Sequence, residues 1–233
     1  FTVGKKIGLG FGIVLVLLLT VFVITLYVLK NAESTLKKSI DTNDQFLKVG
    51  QPSVFQLNNL KKDLTNTHMF IQQWLEVEAT NDASQKQKAN ELMDSIVPAD
   101  TIKINELSIR WSELNNNLIL YSEIKNDISK LFGDYNDNVR TQLNDGFKSY
   151  KNWDYFMLKT LFEMETEPKY NSLMVKMDTL ISNKNLEANQ QQLQSNTAFK
   201  GTNTNFKRLS VGVLIAGIAL VLGTIIIALF TTL

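Results

Sequence analysis

The chain has 233 residues, 24 basic against 23 acidic side chains, one His and no Cys. Near-balanced charge gives no electrostatic reason to expect nucleic acid or an anionic partner. Without Cys there is no disulfide framework, no thiolate zinc site and no thiol nucleophile. No N-x-[ST] acceptor occurs although Asn is abundant, which favours a bacterial chain over a eukaryotic secretory one.

The first segment, GKKIGLGFG, has the glycines and lysines of a phosphate loop in the wrong order. A P-loop places its lysine after the last glycine and follows a strand. Here Lys5 and Lys6 precede Gly8, Gly10 and Gly12, and no strand-like run comes before them. The next residues decide the reading: Ile7 to Leu29 is 23 residues without a charge. About 20 apolar residues in a helix cross the hydrocarbon of a bilayer. This core is too long for a cleavable signal and has no small-x-small site after it, so residues 7–29 read as an uncleaved anchor. A second uncharged run, Leu209 to Leu233, follows Lys207 and Arg208. A polar flank and a cytoplasmic output region are expected beyond it. Lys5 and Lys6, in a flank of residues 1–6, argue for a cytoplasmic N-terminus, and a domain as long as residues 30–208 translocates largely regardless of its charges. That middle segment is therefore expected outside.

Between the spans the apolar residues recur at helical spacing. Leu29, Ala32, Leu36, Ile40 and Leu47 continue the first span outward. After Pro52 come Leu57, Leu60, Leu64, His68, Ile71 and Leu75, predicting a helix to about Glu78 and a turn at Ala79–Asp82 with Asp82 as a cap. Pro98-Ala99-Asp100 predicts an interruption before a helix carrying Leu107, Trp111, Leu114, Leu118, Tyr121, Ile128 and Leu131. Gly133-Asp134-Tyr135-Asn136-Asp137 predicts the next break. Val139, Leu143, Phe147, Tyr150, Asp154 and Met157 mark a third helix to about Glu165, and Thr166-Glu167-Pro168 opens a fourth with Leu173, Met177, Leu180 and Leu186 on its apolar side. From Asn183 to Asn205 the pattern fades into Asn, Gln and Thr. The fold class expected is all-α, an antiparallel four-helix bundle continuous with two transmembrane helices.

GKKIGLGFGIVLVLLL, the long helix leaving the membrane, the Glu167-Pro168-Lys169-Tyr170 helix start and the return span together resemble bacterial two-span transmembrane receptors. These are methyl-accepting chemotaxis receptors and sensor histidine kinases with a four-helix-bundle extracytoplasmic input domain. The resemblance rests on architecture and loose motifs over the whole chain. It implies a homodimer in the bacterial inner membrane that binds a small molecule or an extracytoplasmic binding protein. It also implies a small helix displacement passed to cytoplasmic signalling proteins. One departure concerns ligand class. Family members that bind amino acids hold the carboxylate with arginines, largely from the first helix, and residues 30–78 contain none. The alternative reading is a membrane-anchored helical structural or assembly subunit without a small-molecule ligand.

No Ser/His/Asp set, metal-ligand cluster or Gly-rich loop stands out, so neither an enzyme nor a cofactor is expected. His68 falls on an apolar face and reads as a core residue, and Glu163, Glu165 and Glu167 as a solvated helix end. Gly212, Ala216, Ala219 and Gly223 form one small-residue face of the second span, as Gly8 and Gly12 do at the entrance of the first. Such faces let helices approach closely in lipid. At about 1.5 Å per residue, Pro52 stands roughly 33 Å above Lys30, Trp111 roughly 32 Å above Phe132 and Trp153 roughly 26 Å above Asn136. A ligand pocket is expected in this layer, lined by Pro52, Arg110, Trp111 and Trp153.

Overall fold

A computed structural model describes residues 3–76, 83–111, 116–141 and 152–232. The chain is all-α: apart from the turn at 109–111 and Asn116, every described residue is helical, and no strand occurs among them. Among the described residues four helices follow one another. Helix α1 comprises Val3–Gln45, a π-turn Phe46–Gly50 and Gln51–Glu76. Helix α2 comprises Ala83–Glu91, a π-turn Leu92–Ile96 and Val97–Ser108. Helix α3 comprises Asn117–Asp134 and a π-turn Tyr135–Arg140. Helix α4 comprises Asn152–Leu161, a π-turn Phe162–Thr166 and Glu167–Thr232.

The three prolines explain three of these π-turns. A proline inside a helix has no N–H to donate, and its ring strikes the carbonyl four residues back. Pro52, Pro98 and Pro168 each stand two residues beyond a π-turn, so the carbonyl in question, of Lys48, Asp94 or Met164, lies inside the widened turn. The extra residue there lets the helix pass its proline without ending.

This corrects several expected boundaries. Pro98–Asp100 does not interrupt α2, and Thr166–Pro168 does not open a helix but lies inside α4. Gly133–Asp137 is helical too, because Tyr135 within it and Val139 just beyond it are fully buried and core packing overrides turn composition. Of the third helix expected over 139–165, residues 139–141 belong to α3 and residues 152–165 to α4, and residues 142–151 lie outside the described residues. Helix α2 ends at Ser108, a turn follows at 109–111, and Asn116 before α3 adopts φ 52°, a left-handed conformation that Asn tolerates better than most residues. Residues 183–205 are helical, within α4. The expected turn at Ala79–Asp82 lies outside the described residues.

Two compact units result, residues 45–190 and residues 1–44 with 191–233. The first has a core fed by all four helices. Leu57, Leu60, Leu64, Ile71 and Leu75 of α1 are buried at the expected spacing, as are Ile104 of α2, Ile124 and Leu131 of α3, and Leu173, Met177 and Leu180 of α4. Each such side chain contributes roughly 1.5–3 kcal/mol relative to exposure. In the second unit, small residues are the buried ones: Ala32 and Ser39 in α1, Ser195 and Thr202 in α4. Each pair is seven residues apart, a spacing that keeps both members on one helix face. Beyond them most large apolar side chains are exposed, among them Phe11, Leu19, Phe22 and Leu29 in α1 and Val211, Leu214, Ile218 and Leu229 in α4. Among the described residues two helices are thus long and apolar enough to cross a membrane.

Candidate functional site

Within residues 45–190, a polar network joins all four helices around Trp111. Ser53 occupies a core position of α1, in register with Val49, Leu57 and Leu60, and is fully buried. The Trp111 indole N–H, just past the end of α2, donates to Ser53 Oγ at 2.8 Å. Over the other side of the indole lies the Lys184 ammonium of α4, 4.7 Å from the ring centroid. Only 2% of Lys184 is exposed, and its charge is answered by the Glu187 carboxylate one turn on. Glu187 Oε1 accepts from Asn117 Nδ2 of α3 at 2.8 Å, and Asn117 Oδ1 accepts from Asn183 Nδ2 at 3.1 Å.

Tyr121 closes the layer, its ring tilted 58° to the indole at 5.4 Å. Its hydroxyl can donate to the Thr101 carbonyl or to Asn105 Oδ1, both 3.1 Å away. Burial pushes this phenol well above its ordinary range. Buried polar groups of this kind are costly unless each finds a partner, and here they supply one another. Any slide of one helix past the others breaks at least one of these bonds.

A second layer surrounds the only histidine. His68 of α1 is 6% exposed, and its Nδ1 lies 2.7 Å from the Tyr135 hydroxyl of α3. The imidazole is stacked on Tyr170 of α4, centroids 3.8 Å apart and planes within 5°, with Phe162 at 5.3 Å. Glu167 Oε2 stands 3.8 Å from Nε2. Burial lowers the His68 pKa to about 4, and burial, with Tyr170 and Glu167 adding to it, raises the Tyr135 phenol. Tyr135 and Phe162 each open a π-turn, so the histidine sits where two locally widened turns meet the straight part of α1. Thr166, buried beside Glu167 in sequence, has a hydroxyl without a hydrogen-bond partner. Asp63 and Asp100 form a third polar pair: burial and the hydrogen bond with Asp100 raise the Asp63 carboxyl above its usual range.

The expected pocket residues divide. Trp111 is buried, Pro52 is half-buried next to Ser53, and Arg110 is exposed. Trp153 falls in α4, but its side chain lies outside the described residues. The height count for Trp111 assumed one helix descending to Phe132, whereas α2 ends at Ser108 and α3 begins at Asn117. Lys184, Glu187, Asn117 and Ser53 were missed. The signal was available for Lys184, which follows Leu173, Met177 and Leu180 at core spacing. Ser53 likewise stands between Val49 and Leu57.

In the spans, Gly8, Gly12, Gly212 and Ala219 are exposed, Ala216 and Gly223 half-buried. Open space surrounds the place of a Cβ at each of these glycines. Among the described residues no group of three or more His, Cys, Asp or Glu could hold a metal ion. No protein-family model, curated protein or solved structure matches this chain.

Proposed function

We propose that this chain is a membrane-anchored sensory input module of the chemoreceptor or histidine-kinase type. Its helical unit faces the periplasm or exterior, receives a small molecule or a binding protein, and passes a helix displacement to a cytoplasmic signalling region. The observation that carries this reading is the joining of two kinds of segment in single helices. Val3–Gln45 and Glu167–Thr232 each hold an uncharged apolar run with exposed side chains and continue as polar helix. The layer around Trp111 adds support, because its bonds hold four helices in one register and a displaced helix would exchange them. In this reading the module works as a homodimer, with the Ala216, Ala219 and Gly223 face against its twin.

The test has two arms. In a chain that lacks native Cys, single cysteines at exposed positions of residues 45–190 should react with a membrane-impermeant maleimide in intact cells. Labelling only after lysis would overturn the topology. A thermal-shift screen of the reconstituted protein against metabolites should find at least one compound that raises the melting temperature, since a ligand of the folded state alone stabilises it. No shift with any compound or candidate binding protein would favour the helical assembly subunit.

A further inference from the structure

In the unit formed by residues 1–44 and 191–233, a groove of about 420 Å³ opens between α1 and α4. That is the size class of small-molecule pockets, roughly 300–1,000 Å³. Its walls are apolar, with Val28 on one helix and Leu209 and Val213 on the other. Its floor passes Gly212, where no atom stands within 4 Å of a would-be Cβ. One end is polar and carries Arg208 and Asn205. Arg208 and Lys30 are the first charged residues beyond the two uncharged runs, so the polar end falls at the level where headgroups meet hydrocarbon.

We infer that this groove binds one anionic phospholipid, an acyl chain between the helices and the phosphate on Arg208. This rests on the proposal that both apolar segments span a bilayer. Three observations favour a lipid over the membrane helix of a second copy. The Arg208 guanidinium has no ion-pair partner among the described residues, and a phosphate suits its planar fork. The surrounding stretches of both helices are basic. Residues 30–39 and 195–208 carry Lys30, Lys37, Lys38, Lys200, Lys207 and Arg208 against the single acid Glu33. A twin docking through this same face would bring a second Arg208 and Lys207 onto the first pair, and like charges repel. The groove also uses only Gly212 of the small-residue stripe, leaving Ala216, Ala219 and Gly223 for a helix contact.

The experiment uses the full chain in vesicles of phosphatidylcholine containing a minor fraction of phosphatidylglycerol with the same acyl chains. Native mass spectrometry after detergent release reads the lipid retained. One phosphatidylglycerol per chain is expected, preferred over phosphatidylcholine by about tenfold, the scale set by one or two basic groups near a headgroup. Arg208→Gln should bring that preference down to about twofold or less. Gly212→Leu, which fills the groove without meeting backbone, should remove bound lipid of both kinds while helicity and vesicle insertion persist. Glycerol phosphate alone should not bind, which separates the lipid from a free phosphate. Equal retention of both lipids by the unaltered chain would overturn the inference. So would cross-linking of Val213→Cys to its twin in the same vesicles. Release of the unaltered chain by an alkaline wash would instead remove the spanning proposal itself.

Discussion

Ser39 and Ser195, 156 residues apart in the chain, hydrogen-bond each other's backbone. Ser39 Oγ donates to the Ser195 carbonyl at 2.9 Å and Ser195 Oγ to the Ser39 carbonyl at 3.1 Å. Both are nearly fully buried, and their hydroxyl oxygens are 3.3 Å apart. Approach this close requires small side chains on both helices, which Ala32, Ser39, Ser195 and Thr202 provide.

The pairing makes a direct prediction. In this otherwise Cys-free chain, Ser39→Cys with Ser195→Cys should oxidise to an intramolecular disulfide, because the two side-chain termini already lie 3.3 Å apart. Non-reducing electrophoresis should show a monomer of altered mobility, restored by reductant. Cross-linked dimers alone would place this contact between copies rather than within one chain.

The bond from Trp111 to Ser53 should be energetically coupled. Trp111→Phe keeps most of the apolar volume but leaves the fully buried Ser53 hydroxyl without its donor. A loss of about 1–3 kcal/mol is expected by denaturant titration followed by circular dichroism. Adding Ser53→Ala should recover part of that loss, with a coupling of about 0.5 kcal/mol or more. Strict additivity of the two substitutions would argue that the hydrogen bond contributes nothing.

Helix content was legible because apolar spacing is a property of the residues themselves. Leu57, Leu60, Leu64, His68, Ile71 and Leu75 lie on the buried face that their spacing implies. Helix ends were much less so. Local composition marks Gly133–Asp137 as a turn, but burial of Tyr135 and Val139 comes from distant helices and no window of sequence displays it. The helix boundary before Asn117 has a signal in the sequence Asn115-Asn116-Asn117, which the continuing spacing of Trp111, Leu114 and Leu118 conceals. The polar layer was hidden for a related reason. Ser53 and Lys184 occupy core positions, and a search for apolar residues passes over them. The tryptophan showed, while the groups it contacts did not.

The prolines offer a test of how the π-turns arise. Pro98 is exposed, so its ring contributes little packing, while a proline within a helix costs up to about 3 kcal/mol relative to Ala. The π-turn Leu92–Ile96 softens that penalty without removing it. Pro98→Ala should therefore stabilise the protein by about 1 kcal/mol, seen as a higher melting temperature. A clear loss of stability would show that the ring holds the π-turn and, through it, the buried positions of Leu92, Met93 and Val97.

Acid should weaken the fold through His68. The imidazole is held neutral by burial, with a pKa near 4 in the folded protein against 6.5 for the exposed side chain. Between those values the unfolded chain binds more protons than the folded one, so stability must fall as pH falls from 6.5 towards 4. The slope approaches about 1.4 kcal/mol per pH unit and the full effect about 3 kcal/mol. Glu167, 3.8 Å from Nε2, would reduce it by attracting the imidazolium, while Tyr135, whose phenol burial raises, stays neutral throughout this range. Carboxylates elsewhere also weaken the fold in acid. Asp94, held below its usual range by Arg140 through hydrogen bonds of 2.8 and 2.7 Å, is one of them. The informative quantity is therefore the difference between variants. His68→Phe with Tyr135→Phe removes the titrating ring and spares the structure an orphaned phenol. Its stability should depend less steeply on pH between 6.5 and 4 than that of the unaltered protein, while the two curves run parallel above pH 7. Parallel curves throughout would mean that His68 takes up its proton as readily in the fold as in water.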